Sequence, residues 1–224
     1  MRRIKAEIIS IENTEEDYYS IKLKPLDEFS WKAGQFVIVK MPESKINEND
    51  KRTLSIASAP EEGFIMLGTR TGENISDFKR ELLSKKPGDI ITIEGPMGMF
   101  VKKEEMCPMV LVAGGIGITP VRGLLKSLED EIGCMMELVY SSKNYYMYLD
   151  DLEEISEKNN RLVLHTTKNR VETNEEIDKI IEKYGNEPYY YISGTTGMVQ
   201  SVKDKLKENN IEKTRVIADM MIGY

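Results

Sequence analysis

The stretch Val110-Leu-Val-Ala-Gly-Gly-Ile-Gly-Ile-Thr-Pro120 runs directly into Val121-Arg-Gly-Leu-Leu-Lys-Ser-Leu128, and it decides the fold of this chain. Its apolar start predicts a buried parallel strand, its glycines predict a tight turn, and the leucine spacing that follows predicts a helix packed back on the sheet. Such a unit directs backbone N–H groups and a helix N-terminus at one point, which suits a phosphate or pyrophosphate. Because Gly115 and Gly117 lack a Cβ, we expect a ligand to approach the main chain closely there.

The end of this loop is less specific than its beginning. Pro120 has no N–H and a preset φ, so it fits the first turn of a helix that we expect Thr119 to cap. The loop departs from the dinucleotide pattern G-x-G-x-x-G by placing Pro120 where the last glycine would stand. Taken alone, it leaves both a nucleotide site and an ordinary strand-to-helix turn open.

Length and composition narrow the class of protein. A chain of 224 residues with 40% hydrophobic residues is long enough for two domains of about 100 residues each. No apolar run approaches the ~20 residues that span a bilayer, and the N-terminal segment has no signal-peptide core, so we expect a cytoplasmic protein with no membrane span. The net charge of −7 argues against nucleic-acid binding.

The scarcity of cysteine and histidine excludes several chemistries. Cys107 and Cys134 are too few for a four-thiolate iron–sulfur cluster. His165 is the single histidine, so histidine metal sites and Ser-His-Asp catalysis are nearly excluded, and we interpret it as structural. We therefore expect no metal site.

The chain changes character near residue 104. Before it, short alternating segments bounded by turn residues predict an antiparallel β-barrel, with one helix over residues 74–83. After it, apolar strands alternate with helices, which predicts an α/β doubly wound parallel sheet. We place the two domains at residues 1–102 and 103–224, with a linker at 101–107.

Five motifs follow one another along both predicted domains. They are Arg52-Thr-Leu-Ser-Ile-Ala-Ser58, Gly72-Glu-Asn-Ile-Ser76, Gly95-Pro-Met-Gly-Met-Phe100, Gly114-Gly-Ile-Gly-Ile-Thr-Pro120 and Ser193-Gly-Thr-Thr-Gly-Met198. In this order they resemble the ferredoxin–NADP(H) reductase superfamily, and the resemblance covers essentially the whole chain. It implies a flavin-binding barrel followed by an NAD(P)-binding α/β domain.

The resemblance assigns cofactor-binding roles in the barrel. Arg52 is expected at the flavin diphosphate, and its planar charged fork suits that group, although a surface ion pair is the alternative. Ser55 is expected to act in catalysis with its hydroxyl beside the flavin N5, on the same strand face as Thr53. Leu54 stands where the family usually has a tyrosine, so one aromatic plate against the flavin is missing. The helix that follows is expected to receive phosphate oxygens through Gly72, Asn74, Ile75 and Ser76.

In the second domain the resemblance places the pyridine nucleotide. Its pyrophosphate is expected over a loop formed by Gly114, Gly115, Gly117, Ile118, Thr119 and Pro120. Ser193, where the family often has cysteine, and Gly194 end a strand at the ligand-binding edge, and Ser193 is the second expected catalytic residue. Thr195 or Thr196 is expected to cap the helix through Met198. Tyr224 is expected either to cover the flavin or to lie in an exposed tail.

These roles describe a flavin-dependent NAD(P)H oxidoreductase. Its cofactors are FAD, with FMN possible, and NADPH or NADH, and its electrons pass to a carrier such as ferredoxin or flavodoxin. The hydroxyls and cations of 141–143, Lys168 and Arg170 favour NADPH. Two alternatives stay open: a reductase of free flavin, and an electron-transfer subunit of a larger dehydrogenase complex.

Overall fold

A computed structural model describes residues 2–41, 51–103, 108–131 and 133–221 of the chain. Its N-terminal half is a six-stranded antiparallel sheet with strand order β4-β3-β6-β1-β2-β5. A bridge between Ile56 and Leu67 links the two ends of the sheet and closes the predicted barrel. The strands are β1 (Arg2–Glu15), β2 (Tyr18–Pro25), β3 (Phe36–Lys40), β4 (Lys51–Ser55), β5 (Ile65–Arg70) and β6 (Ile90–Met97).

Alternation of apolar and polar residues explains the barrel. On β1, the side chains of Ile4, Ala6 and Ile8 are buried, whereas Lys5 between the first two and Arg3 before them are exposed. This two-residue period lines one face of each strand with the core. Helix α1 (Asp77–Ser84) packs against that core through Phe78 and Leu82.

The C-terminal half is a five-stranded parallel sheet with strand order β11-β10-β7-β8-β9. Helices α2 and α3 share one apolar cluster with the sheet, and α4 and α5 share another on the opposite face. The doubly wound sheet is thus confirmed. Its elements are β7 (Met109–Gly114), α2 (Ile118–Lys126), β8 (Met136–Ser141), α3 (Leu149–Lys158), β9 (Leu162–Thr167), α4 (Arg170–Tyr184), β10 (Tyr189–Thr195), α5 (Thr196–Glu208) and β11 (Val216–Met221).

The start of α2 differs from the prediction. The helix begins at Ile118, with Gly117 at the cap position and no side-chain cap. Thr119 lies inside the first turn, and its hydroxyl donates to the carbonyl of Ile116 at 2.7 Å. The expected Thr119 cap is therefore wrong, because the 3-10 turn over 115–117 already carries the chain into helical geometry.

The two halves touch where β5 meets the loop before α2. A Cβ on Gly68 would lie only 2.8 Å from the Thr119 hydroxyl. The barrel therefore leaves room for the loop by omitting a side chain at that point. The predicted domain boundary stays a prediction, and residues 104–107 of the expected linker lie outside the described residues. None of the helices in the described part of the chain is both long and apolar enough to cross a bilayer.

Candidate functional site

A cleft of about 550 Å³ opens between the barrel and the carboxyl edge of the parallel sheet. Parallel sheets of this kind bind ligands at that edge, near the strand where the order reverses, which here is β7 between β8 and β10. The barrel contributes Tyr18, Arg70, Gly72 and Lys79, and the sheet contributes Gly114, Gly115, Ser141, Lys143, Lys168, Thr195 and Met198. The volume is within the range of small-molecule sites.

The glycines of the loop after β7 serve different purposes. Gly115 has φ of +52°, a conformation that glycine adopts without strain, and the space beside it is open apart from the Tyr18 hydroxyl at 3.5 Å. A Cβ on Gly117 would instead lie 2.3 Å from the carbonyl oxygen of Ser193. Gly117 is thus required by close packing on β10, whereas the expectation was that its missing Cβ admits a ligand.

A hydrogen bond between Ser55 and Asp219 joins the barrel to the sheet. The hydroxyl of Ser55, at the end of β4, donates to Oδ2 of Asp219 on β11 at 3.0 Å. Asp219 is the register partner of Ser193 on β10, so these two residues are neighbours on adjacent parallel strands. Asp219 therefore bridges the halves: its side chain holds Ser55, and its main chain lies beside that of Ser193, whose hydroxyl it does not bind.

The hydroxyl of Ser193 has an unusual environment. The residue is completely buried, and among the described residues its Oγ finds no hydrogen-bond partner. Buried hydroxyls in native proteins almost always have a partner, because an unsatisfied polar atom costs about 1–3 kcal/mol. A group from outside the described chain that supplies a donor or acceptor would satisfy this atom.

Asp219 lies in none of the five sequence motifs and was not among the expected site residues. Burial raises the pKa of Asp219, and the hydrogen bond from Ser55 partly opposes that rise. The signal that identifies the residue is its strand register, since it lies opposite Ser193, which the sequence alone did not reveal. Its raised pKa allows Asp219 to hold a proton at a higher pH than an exposed carboxyl would.

A cluster of cations faces the cleft from the barrel. Nζ of the buried Lys79 donates to the carbonyl of Arg70 at 2.6 Å, and Arg70 lies over the Tyr18 ring. Burial, followed by the nearby charges of Arg52 and Arg70, lowers the pKa of Lys79. An anionic ligand would relieve this repulsion. Sequence reasoning identified Arg52 but missed Lys79 and Arg70.

Asp17 organises the turn that precedes α1. Its carboxylate accepts from Nε of Arg70 at 3.1 Å and from the backbone N–H of Gly72 at 2.7 Å. The Ser76 hydroxyl accepts from the backbone N–H of Lys79 and caps α1. Gly72 and Ser76 thus already have partners within the protein, while the exposed Asn74 and the half-buried Ile75 lie between them. Phosphate binding by this turn stays a prediction.

Several other expected ligands are buried away from the cleft. The side chain of Leu54 is 2% exposed and packs in the barrel core, so it offers a ligand almost no surface. Ile118, Thr119 and Pro120 are likewise buried in the first turn of α2. For these four residues, cofactor contact through the side chain has no support in the geometry. Thr53, by contrast, is exposed on β4, and its contact with a cofactor stays a prediction.

The residues expected after β10 lie close to the glycine loop. The hydroxyl of Thr195 accepts from the backbone N–H of Met198 at 3.4 Å, so Thr195 is the residue that caps α5. The Met198 thioether packs over Gly114 and Gly194, where an added Cβ would lie within 2.2 Å and 2.6 Å of its sulfur. Tyr224 lies outside the described residues.

Most of the residues expected to select the nucleotide line the cleft. Lys143 and Lys168 both line it. Ser141 lines it too, and its hydroxyl accepts from the Thr173 hydroxyl at 2.9 Å. Arg170 lies beyond the cleft and donates to the Ser201 hydroxyl at 2.9 Å.

Comparison with known proteins gives relatives in both halves. Residues 111–204 match the family model of the oxidoreductase NAD-binding domain. A subunit of the Na(+)-translocating NADH-quinone reductase of Pasteurella multocida is 30% identical over 203 residues, which are 79% of this chain and 50% of that protein. The corresponding protein of Pseudoalteromonas haloplanktis is 35% identical over 137 residues, 55% of this chain and 45% of that protein. The chain thus spans about half the length of the curated relatives it matches.

Solved structures with the same fold cover almost the whole chain. Ferredoxin-NADP+ reductase from Plasmodium falciparum superposes with a TM-score of 0.83 at 19% identity, covering 98% of this chain and 96% of that one. The FAD/NAD-binding domain of nitric oxide dioxygenase from Vibrio cholerae gives a TM-score of 0.83 at 16% identity, covering 97% and 98%. Residues 111–204 thus match the family of oxidoreductase NAD-binding domains, and the chain as a whole, with its barrel and its parallel sheet, has the two-domain fold of ferredoxin-NADP+ reductase.

Proposed function

We propose that this protein is an NAD(P)H-dependent flavin oxidoreductase that binds FAD between its two halves and passes electrons to a second protein. The observation that carries the proposal is the junction of Ser55, Asp219 and Ser193, where a barrel hydroxyl meets a sheet carboxylate beside a buried, unsatisfied hydroxyl. A site shared by two domains suits a reaction between two cofactors, one held by each.

The residues of the cleft fit the charged parts of both cofactors. Arg70 and Lys79 line the cleft and provide positive charge for a flavin diphosphate, with Tyr18 beside them. Arg52 does not line the cleft, but its charge is near enough to help lower the pKa of Lys79. The turn at Gly115, ahead of α2, faces the same cleft and suits the pyrophosphate of a pyridine nucleotide. The cations from the barrel and the turn at Gly115 therefore suit two anionic ligands.

At the junction, the chain's own groups position and hold a proton. FAD, when bound, supplies the two-electron chemistry with the nicotinamide and the later release of single electrons. Asp219 accepts the Ser55 hydrogen bond and so fixes the direction of that hydroxyl. Because burial raises the pKa of Asp219, its carboxyl is suited to hold a proton beside Ser55. The Ser193 hydroxyl is available to hydrogen-bond a polar group of a cofactor bound at this junction.

The nucleotide is proposed to be NADPH. Lys143 and Lys168 line the cleft together with Ser141, and a 2′-phosphate needs such cations and hydroxyls. The relatives in Pasteurella and Pseudoalteromonas are named as parts of an NADH-quinone reductase, which favours NADH instead. Measuring kcat/KM with each nucleotide under identical conditions decides between them.

The electron acceptor is proposed to be a carrier protein such as ferredoxin or flavodoxin. A second candidate role is that of an electron-transfer subunit within a larger complex, and the specific support for it is that the matched relatives are each named as one subunit of a larger reductase. Size-exclusion chromatography of the natively expressed, tagged protein separates the two, because a stable complex elutes far ahead of a 224-residue chain.

The experiment that tests the proposal is a visible spectrum followed by anaerobic addition of NADPH or NADH. Flavin absorption at near-full occupancy that bleaches with one nucleotide supports a bound-flavin oxidoreductase. Ser55→Ala serves as the matched variant, since it removes one oxygen atom and leaves the fold, and it should retain flavin but bleach at least ~10-fold more slowly. A colourless protein that oxidises NAD(P)H only with added flavin contradicts the proposal and supports the free-flavin reductase.

A further inference from the structure

Arg122 is a buried cation that joins the two halves of the molecule. It lies on α2, and its residue surface is 6% exposed. From the barrel, it contacts the carbonyl of Ala57 through Nη1 at 3.2 Å and the carboxylate of Glu62. From its own half, it contacts Asp151 at 2.7–2.8 Å through Nη2 and Nε. One side chain therefore ties α2 to the barrel and to α3.

The main chain of α2 also touches the barrel directly. A Cβ on Gly123 would lie 2.9 Å from the carbonyl oxygen of Ile56 and 3.1 Å from atoms of Ala57 and Ser58. No side chain of the helix acts as a spacer at this position. Any rotation of α2 relative to the barrel must therefore move backbone against backbone.

The barrel segment at this contact, residues 56–58, directly follows Ser55 and is firmly held. The N–H of Ile56 donates to Gln35 at 2.8 Å, and the N–H of Ala57 donates to Met66 at 2.6 Å. The Ser58 hydroxyl donates to the carbonyl of Phe64 at 2.8 Å. A displacement of this segment therefore also displaces Ser55, because no flexible loop separates the two.

We propose that Arg122 is a positioning residue whose ion pair with Glu62 sets the distance between the nucleotide-binding loop at the start of α2 and the Ser55 strand. This inference rests on the proposed function, in which the loop holds the pyridine nucleotide and the Ser55 strand holds the flavin. The residue touches neither ligand and acts through α2. A displacement of about 1 Å between reacting groups is enough to slow a reaction by about 100-fold.

The two carboxylates on Arg122 provide a matched pair of variants. Glu62 belongs to the barrel, and its Oε2 is itself fixed by the N–H of Ala59 at 2.7 Å. Asp151 belongs to α3, in the same half as Arg122. Glu62→Gln and Asp151→Asn each remove one negative charge from the same guanidinium with almost no change in shape. Only the Glu62 change weakens the contact between the halves.

The test compares both variants with the wild-type, flavin-loaded chain by anaerobic stopped-flow reduction. For Glu62→Gln we expect the limiting rate of flavin bleaching at saturating nucleotide to fall by about 10-fold or more, while the nucleotide Kd changes by less than about twofold. For Asp151→Asn we expect both quantities to stay within about twofold. Amide hydrogen exchange provides a readout apart from the reaction, and in Glu62→Gln it should quicken over residues 56–58 and 118–126.

Each other outcome overturns the inference in a recognisable way. Equal limiting rates in Glu62→Gln and wild type show that the ion pair does not set the distance. Equal slowing in both variants shows that Arg122 serves general packing. If the wild type itself takes up no flavin, the proposed function fails, and unchanged hydrogen exchange in Glu62→Gln then separately refutes the positioning contact.

Discussion

Gly117→Ala is the substitution for which the structure makes its sharpest prediction. Gly117 has φ of −61° and ψ of −9°, a conformation that alanine adopts readily, so the substitution causes no backbone strain. The obstacle is space, because the new Cβ would lie 2.3 Å from the carbonyl oxygen, 2.5 Å from the carbonyl carbon of Ser193 and 2.7 Å from Cα of Gly194. All three atoms belong to the main chain of β10, which cannot rotate aside as a side chain would.

The magnitude follows from the size of the overlap. Ordinary non-bonded separations are about 3.5 Å, so the loop and β10 must part by roughly 1 Å. Overpacking of this kind costs about 1–3 kcal/mol. For a chain of this length, each kcal/mol lowers Tm by about 2–4 °C, so we expect a loss of about 2–12 °C. The displaced loop should also slow flavin reduction, by up to about 100-fold.

Gly197→Ala is the matched control for this experiment. Gly197 lies in the first turn of α5, and a Cβ there meets no atom within 4 Å. Alanine should therefore stabilise the protein by up to about 1 kcal/mol through helix propensity. Thermal and urea unfolding of both variants measures the difference. If Gly117→Ala unfolds within about 1 °C of wild type, the argument from close packing is refuted.

Three further predictions concern charge. Because burial raises the pKa of Asp219, the folded protein binds the carboxyl proton more tightly than the unfolded chain, so the stability of the wild type should fall as the pH rises above about 4. In urea unfolding, the stability of Asp219→Asn should depend less on pH than that of the wild type. The same pH dependence in both proteins would contradict this prediction. Burial of Glu137 is outweighed by hydrogen bonds from Lys183, His165 and Tyr184, which hold its pKa below the usual value. The stabilisation from the ionised Glu137 is therefore present above about pH 4.5 and is lost as the pH falls further. Glu137→Gln should lower the free energy of unfolding, measured in urea, by about 1–3 kcal/mol at pH 7 and by less at pH 3. An equal loss at both pH values would refute this prediction. Lys168→Ala should raise KM for NADPH about 10-fold and KM for NADH less than twofold in steady-state assays, and equal changes would rule out a 2′-phosphate contact.

The fold was predictable because its signals are local. Alternating burial on β1 and the unbroken apolar run of β7 each identify a kind of strand without knowledge of any partner. Boundaries were less predictable. The α4 helix begins at Arg170, seven residues before its first buried isoleucine, Ile177, because Asn169 caps it by accepting from the N–H groups of Val171 and Glu172.

The site was predictable only where a motif carries it. Ser55 and Ser193 belong to recognisable motifs, and both are neighbours of Asp219, the first by a hydrogen bond and the second by strand register. Asp219 belongs to no such motif, and its role depends on the pairing of β10 with β11, which no spacing in the sequence encodes. Lys79 was missed for a related reason, because its place in the predicted helix does not distinguish it from a solvent-facing lysine. Only the structure shows that its ammonium donates to the carbonyl of Arg70.

Two polar contacts between the halves begin only two residues apart on the barrel. Ser55 reaches Asp219 on β11, and Ala57 receives Arg122 from α2. These two partners lie on different elements of the sheet domain, so a rotation of that domain that preserves one contact strains the other. The halves can then move freely only if both contacts break together. A displacement of α2 would therefore act on the same barrel segment that carries Ser55.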